Sequence, residues 1–131
     1  MFKISFEKTK RVLSKLNFEK GLIPVVTTNG EGEVLMVAFM NKDALLKTLS
    51  TGFMHYYSRR RGKIWMKGES SGFVQRVLEV KINCENNALL FTVEQEGLGA
   101  CHMGYKTCFY RRILENGALK TVEKRVFNPK R

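Results

Sequence analysis

Two apolar segments rich in β-branched residues, 22–27 and 34–40, flank the loop Thr28-Asn29-Gly30-Glu31-Gly32. Apolar runs of this length that are bounded by turn-forming residues are typical of β-strands. An Asn-Gly step readily adopts the positive φ angles that tight hairpin turns require. This part of the chain is therefore predicted to form a β-hairpin, and the fold must accommodate the sheet that the hairpin begins.

The residues after this hairpin predict a helix. The Asn41 side chain can accept a hydrogen bond from the unpaired N–H groups of a first helical turn, and Gly52 suits the position just beyond a helix end. The buried stripe of this helix is predicted to contain Ala44, Leu45, Thr48 and Leu49. A second amphipathic helix near the N-terminus is indicated by Val12, Leu13 and Leu16.

In residues 74–84, apolar side chains alternate with mostly polar ones: valine, leucine, isoleucine or cysteine stands at most even positions. A period of two predicts a half-buried strand. The phase of this pattern places Cys84 on the same face as Val80 and Ile82.

The later part of the chain predicts further strands joined by short turns. These are a turn at residues 85–87 leading into a strand at 88–94, and a hairpin that joins 108–114 to 119–126 through Asn116-Gly117. No repeat, low-complexity stretch or Pro/Ser-rich linker divides the sequence. The expected fold is a single α+β domain over residues 1–131, with a mostly antiparallel sheet and a few short helices.

Charge narrows the range of partners. The 131 residues include 23 Lys and Arg against 12 Asp and Glu, which gives a formal net charge of +11. Such a surface attracts phosphates, nucleotides or nucleic acid, although a basic surface that only contacts solvent is an equally simple reading. Residues 1–11 lack the apolar block of a signal peptide, and no apolar run of about 18 residues could span a membrane. We expect a cytoplasmic protein.

The cysteines are the first candidates for chemistry. Cys84, Cys101 and Cys108 are separated by 16 and six residues, and His102 directly follows Cys101. Thiolate and imidazole are ligands that Zn²⁺ prefers, and a catalytic zinc needs three protein ligands with one position left for water. Because no Cys-x₂-Cys pair is present, the spacing alone also fits three ordinary buried cysteines.

Four longer segments are more specific than the cysteine spacing: GLIPVV, GEVLMVAFMN, TGFMHYYSRRRGKIWMKGESSGFVQRV and ACHMGYKTCFYRR. In this order and spacing, over about residues 21–112, they resemble the phosphoribosyl-AMP cyclohydrolase family. That family hydrolyses the N1–C6 bond of the adenine ring in phosphoribosyl-AMP during histidine biosynthesis, and both zinc and magnesium are its expected cofactors. The resemblance also implies a homodimer with active sites at the interface.

The resemblance assigns roles to individual residues. It implies that Cys84, Cys101 and Cys108, drawn from both subunits, bind zinc. Zinc would lower the pKa of a bound water molecule, while His102 is the first candidate for carrying the proton that ring N1 needs.

The substrate of that family carries phosphate at two ends, which suits a basic segment. The candidate substrate-binding residues are Arg59, Arg61, Trp65, Lys67, Gly68, Glu69, Ser70 and Ser71. Arginine forks match phosphate oxygens, serine hydroxyls can donate to them, and a tryptophan ring can flank a purine. The glutamate could hold a ribose hydroxyl or a metal-bound water. Each of these residues could also serve the fold alone.

The expected magnesium site departs from the family pattern. Where the family has Asp-Cys-Asp-x-Asp, this chain has Asn83-Cys84-Glu85-Asn86-Asn87, so the local formal charge falls from minus three to minus one. Mg²⁺ demands oxygen ligands in near-octahedral geometry, and neutral amides replace carboxylates poorly. Substrate phosphates could recruit the ion through Glu85, cationic side chains could replace it, or the family reaction could have been lost.

A binding protein is the main alternative to an enzyme. Tyr56, Tyr57 and Trp65 beside the basic residues 59–63 could stack bases and hold phosphates in a zinc-stabilised nucleotide- or nucleic-acid-binding module. This alternative explains the charge but leaves the Cys-His-Cys segment unexplained. A third possibility is a zinc site that is purely structural.

Overall fold

The structure is a computed structural model that describes residues 1–129, in which two helices and eight strands are formed. In chain order they are α1 (Phe6–Lys15), β1 (Ile23–Thr28), β2 (Val34–Met40), α2 (Lys42–Thr51), β3 (His55–Ser58), β4 (Lys63–Met66), β5 (Gln75–Ile82), β6 (Leu89–Gln95), β7 (Arg111–Ile113) and β8 (Leu119–Thr121). A four-stranded sheet has the order β2-β1-β6-β5, and β3–β4 and β7–β8 form two-stranded sheets. Only the β1–β6 pair in these sheets is parallel. The predicted α+β class is confirmed.

The β1–β2 hairpin forms as predicted, with Ile23 opposite Met40 at its open end. The Asn29 side chain organises the loop, because its oxygen accepts hydrogen bonds from the main-chain N–H groups of Glu31 and Glu33, both at 3.0 Å. A single asparagine therefore closes the connection that begins the central sheet.

The predicted helix after the hairpin is α2, and both of its caps are confirmed. Asn41 Oδ1 accepts from the N–H of Ala44 at 2.8 Å, and Gly52 adopts the left-handed conformation with φ of 83°. All four residues of the predicted stripe are buried: Ala44, Leu45, Thr48 and Leu49. The N-terminal helix is α1, which is capped by Ser5.

The core is formed by residues from α2 and five strands. Its central members include Val25 of β1, Leu35 of β2, Tyr56 of β3, Val77 of β5 and Phe91 of β6. The small β3–β4 sheet thereby joins the same hydrophobic cluster as the large sheet. No helix within residues 1–129 has the length and apolar character needed to cross a membrane.

The phase predicted for residues 74–84 is wrong over the first half of β5. Val77 is fully buried opposite Val93, whereas Leu78 is 46% exposed. The pairing slips between Val77 and Glu79, so Leu78 is an extra residue in the ladder. Because strand side chains alternate with a period of two, such a bulge exchanges the two faces.

Cys84 is placed differently from the prediction as well. Strand β5 ends at Ile82, which is itself 40% exposed, and Cys84 lies in the following turn as an exposed residue. It therefore shares no buried face with Val80, the one member of the predicted group that packs against the core.

The C-terminal hairpin forms around its predicted turn, but each strand has three residues where a longer strand was expected. Gly117 adopts a φ of 87°, and Asn116 Oδ1 accepts from the N–H of Ala118 at 2.9 Å. Both strands are exposed throughout, so packing does not extend them.

Candidate active site

A cavity of about 690 Å³ brings together several residues that the sequence marks as functional. Its lining consists of Ser58, Arg59, Arg60, Arg61, Trp65 and His102. The arginines come from the turn between β3 and β4, and the histidine comes from a loop far along the chain. The fold therefore joins the basic segment to the Cys-His segment at one surface.

Ser58 organises the arginine turn. Its carbonyl oxygen accepts from the N–H of Gly62 at 2.8 Å, and its hydroxyl oxygen accepts from the N–H of Arg61 at 3.1 Å. The Arg59 guanidinium lies 4.0 Å from the centroid of the Phe39 ring, which fixes one of the three cations. Among residues 1–129, none of the three arginines takes part in a salt bridge. Their charges are thus free to meet an anion.

Trp65 provides the aromatic wall of the cavity. It is paired with Tyr56 across β3–β4, and the ring centroids are 5.3 Å apart at an interplanar angle of 38°. Tyr56 is fully buried and hydrogen-bonded to Thr27 at 2.8 Å and to Gln75 at 2.6 Å. The tryptophan ring therefore rests on a rigid support, as a platform for a planar base requires.

The loop that carries Cys101 and His102 is a tight turn. The N–H of Cys101 donates to the carbonyl oxygen of Tyr105 at 3.0 Å, and the N–H of Gly104 donates back to Cys101 at 3.0 Å. Cys101 is 3% exposed, whereas His102 is exposed and reaches the cavity. One residue thus faces the protein interior while its neighbour faces the arginines.

Cys101 and Cys108 form a pair of thiols. Cys108 is an exposed residue, but burial of its thiol, followed by the charge of Cys101, raises the pKa of Cys108 to about 11. The positive charge of Lys67 acts in the opposite direction on that pKa. Two close thiols beside a cation are a suitable donor set for a metal that binds thiolates, since the metal displaces the thiol protons.

The Lys67 side chain interacts with the Cys-His loop and the two cysteines, and it does not line the cavity. Its ammonium group donates to the carbonyl oxygen of Ala100, the residue before Cys101, and lies 5.7 Å from the Trp65 ring centroid. Burial lowers the pKa of Lys67, while the charges of Cys108 and Cys101 raise it. The structure thus places this predicted phosphate contact behind the Cys-His loop.

Cys84 is not brought to the other two cysteines. Within residues 1–129, no cluster of three or more His, Cys, Asp or Glu side chains has a geometry that could hold a metal ion. A single chain therefore has Cys101 and Cys108 in one region and Cys84, which like Cys108 is exposed, in another.

The turn around Cys84 is stabilised by its own amides. The Asn83 side-chain N–H donates to Asn87 Oδ1 at 2.6 Å, and Asn83 Oδ1 accepts from the N–H groups of Asn87 and Ala88 at 2.9 and 3.0 Å. Asn86 has a φ of 57°, and Glu85 is exposed. Two of the three predicted magnesium ligands are therefore engaged with each other.

The remaining predicted substrate contacts, residues 68–71, do not line the cavity. Gly68 has a φ of 85°, and a Cβ there would overlap the main chain of Phe73. The Glu69 carboxylate accepts from the N–H of Met66 at 3.1 Å, and Ser71 Oγ accepts from the N–H of Phe73 at 3.1 Å. Ser70 is exposed. In this chain these residues shape a turn.

Sequence reasoning did not identify Ser58 and the buried Gln75 as parts of the site. Gln75 links Tyr56 to Gln95, donating to Gln95 Oε1 at 2.8 Å. The sequence offered little signal for Gln75, because β5 also contains Arg76, Glu79 and Lys81, so a polar residue at its start does not stand out.

The segment that carries all the residues lining the cavity matches a known protein family. The family model for phosphoribosyl-AMP cyclohydrolase matches residues 36–110, which include the arginine turn, Cys84 and the Cys-His loop.

Curated relatives extend this match over most of the chain. A phosphoribosyl-AMP cyclohydrolase of Desulforapulum autotrophicum is 48% identical over 120 residues, covering 89% of this chain and 96% of that protein. One of Methanothermobacter thermautotrophicus is 53% identical over 116 residues, covering 87% and 83%. A histidine biosynthesis bifunctional protein of Pyrococcus furiosus is 52% identical over 108 residues, covering 81% of this chain and 51% of that protein. The chain belongs to the phosphoribosyl-AMP cyclohydrolase family.

Proposed function

We propose that this protein hydrolyses the N1–C6 bond of the adenine ring in phosphoribosyl-AMP and so opens it to the imidazole carboxamide intermediate of histidine biosynthesis. The observation that carries the proposal is the cavity in which His102 faces three arginines without salt-bridge partners among residues 1–129, beside the Cys101–Cys108 pair. Family membership supplies the reaction class, and it leaves the nucleic-acid-binding alternative without support.

Each part of the cavity has a role in this reaction. The guanidinium groups of residues 59–61 suit the phosphates of the substrate, since arginine keeps its charge and offers several donors. Trp65 suits one face of the purine. His102 is exposed to the cavity and can transfer a proton to ring N1 as the N1–C6 bond breaks.

Zinc is proposed as the cofactor, with Cys101 and Cys108 of one chain and Cys84 of a second chain as its ligands. When bound, zinc supplies a Lewis acid that lowers the pKa of a water molecule. Lys67 offsets part of the negative charge of the two thiolates on its own chain.

A homodimer is proposed for the same reason. Apart from the separated cysteines, the central sheet has apolar side chains on the face opposite the core. Val37 and Leu90 lie on either side of Val26 in register, and they are 47% and 38% exposed. Such a face suits burial against a second copy of the chain. A cytoplasmic location is proposed as well, because it suits an enzyme of amino-acid biosynthesis.

Magnesium is proposed to be dispensable. The Asn83–Asn87 hydrogen bond orders the turn that would otherwise hold the ion, and the arginine turn offers cations for the substrate phosphates. Strict dependence of turnover on added Mg²⁺ would contradict this part of the proposal.

The function is tested by incubating the purified protein with phosphoribosyl-AMP and following ring opening by absorbance. We expect turnover that disappears when zinc is removed with a chelator and returns when zinc is restored. No ring opening by the zinc-loaded protein would refute the proposal.

A further inference from the structure

The C-terminal residues 125–127, called here the strap, lie beyond residues 36–110, which the family model matches, and pack on the Cys-His loop. The N–H of Val126 donates to the carbonyl oxygen of Gly104 at 2.8 Å. The Arg125 Nε–H donates to the carbonyl oxygen of Met103 at 3.0 Å. The strap thus binds the two main-chain oxygens that directly follow His102.

An aromatic stack holds the strap in place. The Arg125 guanidinium lies 5.4 Å from the centroid of the Tyr105 ring. Tyr105 stacks on Tyr110 with centroids 3.8 Å apart and an interplanar angle of 6°, and the Arg111 guanidinium lies 5.2 Å from the Tyr110 ring centroid. Each ring of this tyrosine pair thus has an arginine near it, Arg111 at the start of the C-terminal hairpin and Arg125 beyond its second strand.

Phe127 connects the strap to a second part of the site. Its ring meets the edge of the Phe73 ring at a centroid distance of 5.4 Å and an angle of 88°. Phe73 in turn packs where Gly68 and Gly97 leave no room for a Cβ, next to the turn that follows Lys67. The strap consequently contacts both the Cys-His loop and Phe73.

The position of His102 depends on these contacts. Its side chain is exposed, so the short loop determines where the histidine leaves the backbone and which part of the cavity its ring can reach. That loop has its own turn hydrogen bonds, and the strap adds a hydrogen bond to each of the next two residues. Displacing a catalytic group by about 1 Å can cost about 10²-fold in rate.

We propose that Arg125 and Phe127 are positioning residues that hold the Cys-His loop in its catalytic geometry, an inference that rests on the proposed function of His102. Of the two residues, Arg125 contributes more to holding the loop, because it provides both the hydrogen bond to Met103 and the contact with Tyr105. Substrate binding by the arginine turn does not involve the strap.

The test compares Arg125→Met with Lys124→Met, an adjacent exposed residue whose replacement removes the same charge. We expect Arg125→Met to lower kcat for phosphoribosyl-AMP by about 10-fold and to leave KM within about twofold. Hydrogen exchange at the amides of residues 101–105 should become faster in this variant, and Lys124→Met should match the wild type in all three measurements. Arg125→Lys should recover part of kcat, because it retains a cation over Tyr105.

Unchanged exchange in Arg125→Met would overturn the proposal, and so would faster exchange with an unchanged kcat. If Arg125→Met no longer unfolds cooperatively on heating, Phe127→Leu is used in its place. Unchanged exchange, or faster exchange with an unchanged kcat, would overturn the proposal for that variant too. If the wild-type protein fails to open phosphoribosyl-AMP, the proposed function is refuted, while the exchange measurement still decides whether the strap holds the loop.

Discussion

The hydrogen bond between Asn83 and Asn87 gives the sharpest prediction about magnesium. Replacing both residues by aspartate puts two carboxylates where a donor and an acceptor are now 2.6 Å apart. At a separation of about 3 Å in water, two unit charges repel by about 1.4 kcal/mol. Loss of the hydrogen bond adds about 1 kcal/mol. We therefore expect the double variant to lose about 2 kcal/mol of unfolding free energy, which corresponds to a fall in Tm of roughly 8 °C for a chain of this size.

The single variant Asn83→Asp is the matched control. Its carboxylate can still accept from the N–H groups of Asn87 and Ala88, and the Asn87 amide can rotate to donate to it. We expect its Tm to stay within about 2 °C of the wild type, on the scale of ordinary surface substitutions.

Thermal unfolding is measured with and without millimolar MgCl₂, against NaCl of equal ionic strength because salt alone screens the repulsion. Magnesium should restore most of the Tm of the double variant and leave the other two proteins unchanged. Equal Tm values for the single and double variants without magnesium would refute the reasoning. So would an increase in the Tm of the wild type by magnesium that is as large as the increase for the double variant.

Three further predictions concern the site. Serine variants of Cys84, Cys101 and Cys108 should each lose zinc, because a hydroxyl is a much poorer ligand than a thiolate; undiminished zinc by metal analysis in all three would exclude the proposed ligands. His102→Ala should retain zinc but lose about 10²-fold or more in turnover, and wild-type rates across pH would remove this residue from the mechanism. Gly68→Ala should lower Tm by several degrees, whereas Gly30→Ala, where a Cβ meets open space, should unfold near the wild-type temperature; equal Tm values would contradict the crowding at Gly68.

Local signals in the sequence predicted local structure well. Asn41 and Gly52 fix the ends of α2 because capping depends only on neighbouring main-chain groups. Gly117 in the second hairpin follows from the same kind of local preference. In the first hairpin the positive φ lies at Gly32, with a value of 82°, and not at the predicted Asn29-Gly30 step. The bulge at Leu78 was not predictable in this way, since it depends on how β5 pairs with a strand that follows it in the chain.

The candidate site was predicted in part. The quoted segments identified Arg59, Arg61, Trp65 and His102, which the fold joins in one cavity. Sequence spacing did not reveal that Lys67 turns toward the thiol pair, because that placement depends on the long-range contact with Ala100. Nor did it reveal the strap, since its contacts join residues about 20 positions apart in the sequence.

Mixing two inactive variants tests the central claim of a zinc site shared between subunits most directly. Cys84→Ser and Cys101→Ser are unfolded together, refolded with zinc and assayed for opening of phosphoribosyl-AMP. In a mixed dimer, one site takes Cys84 from one chain and the Cys101–Cys108 pair from the other, and it is therefore intact. Random pairing predicts recovery of about a quarter of wild-type activity. A mixture as inactive as either variant alone would contradict the shared site, as would full activity of Cys84→Ser by itself.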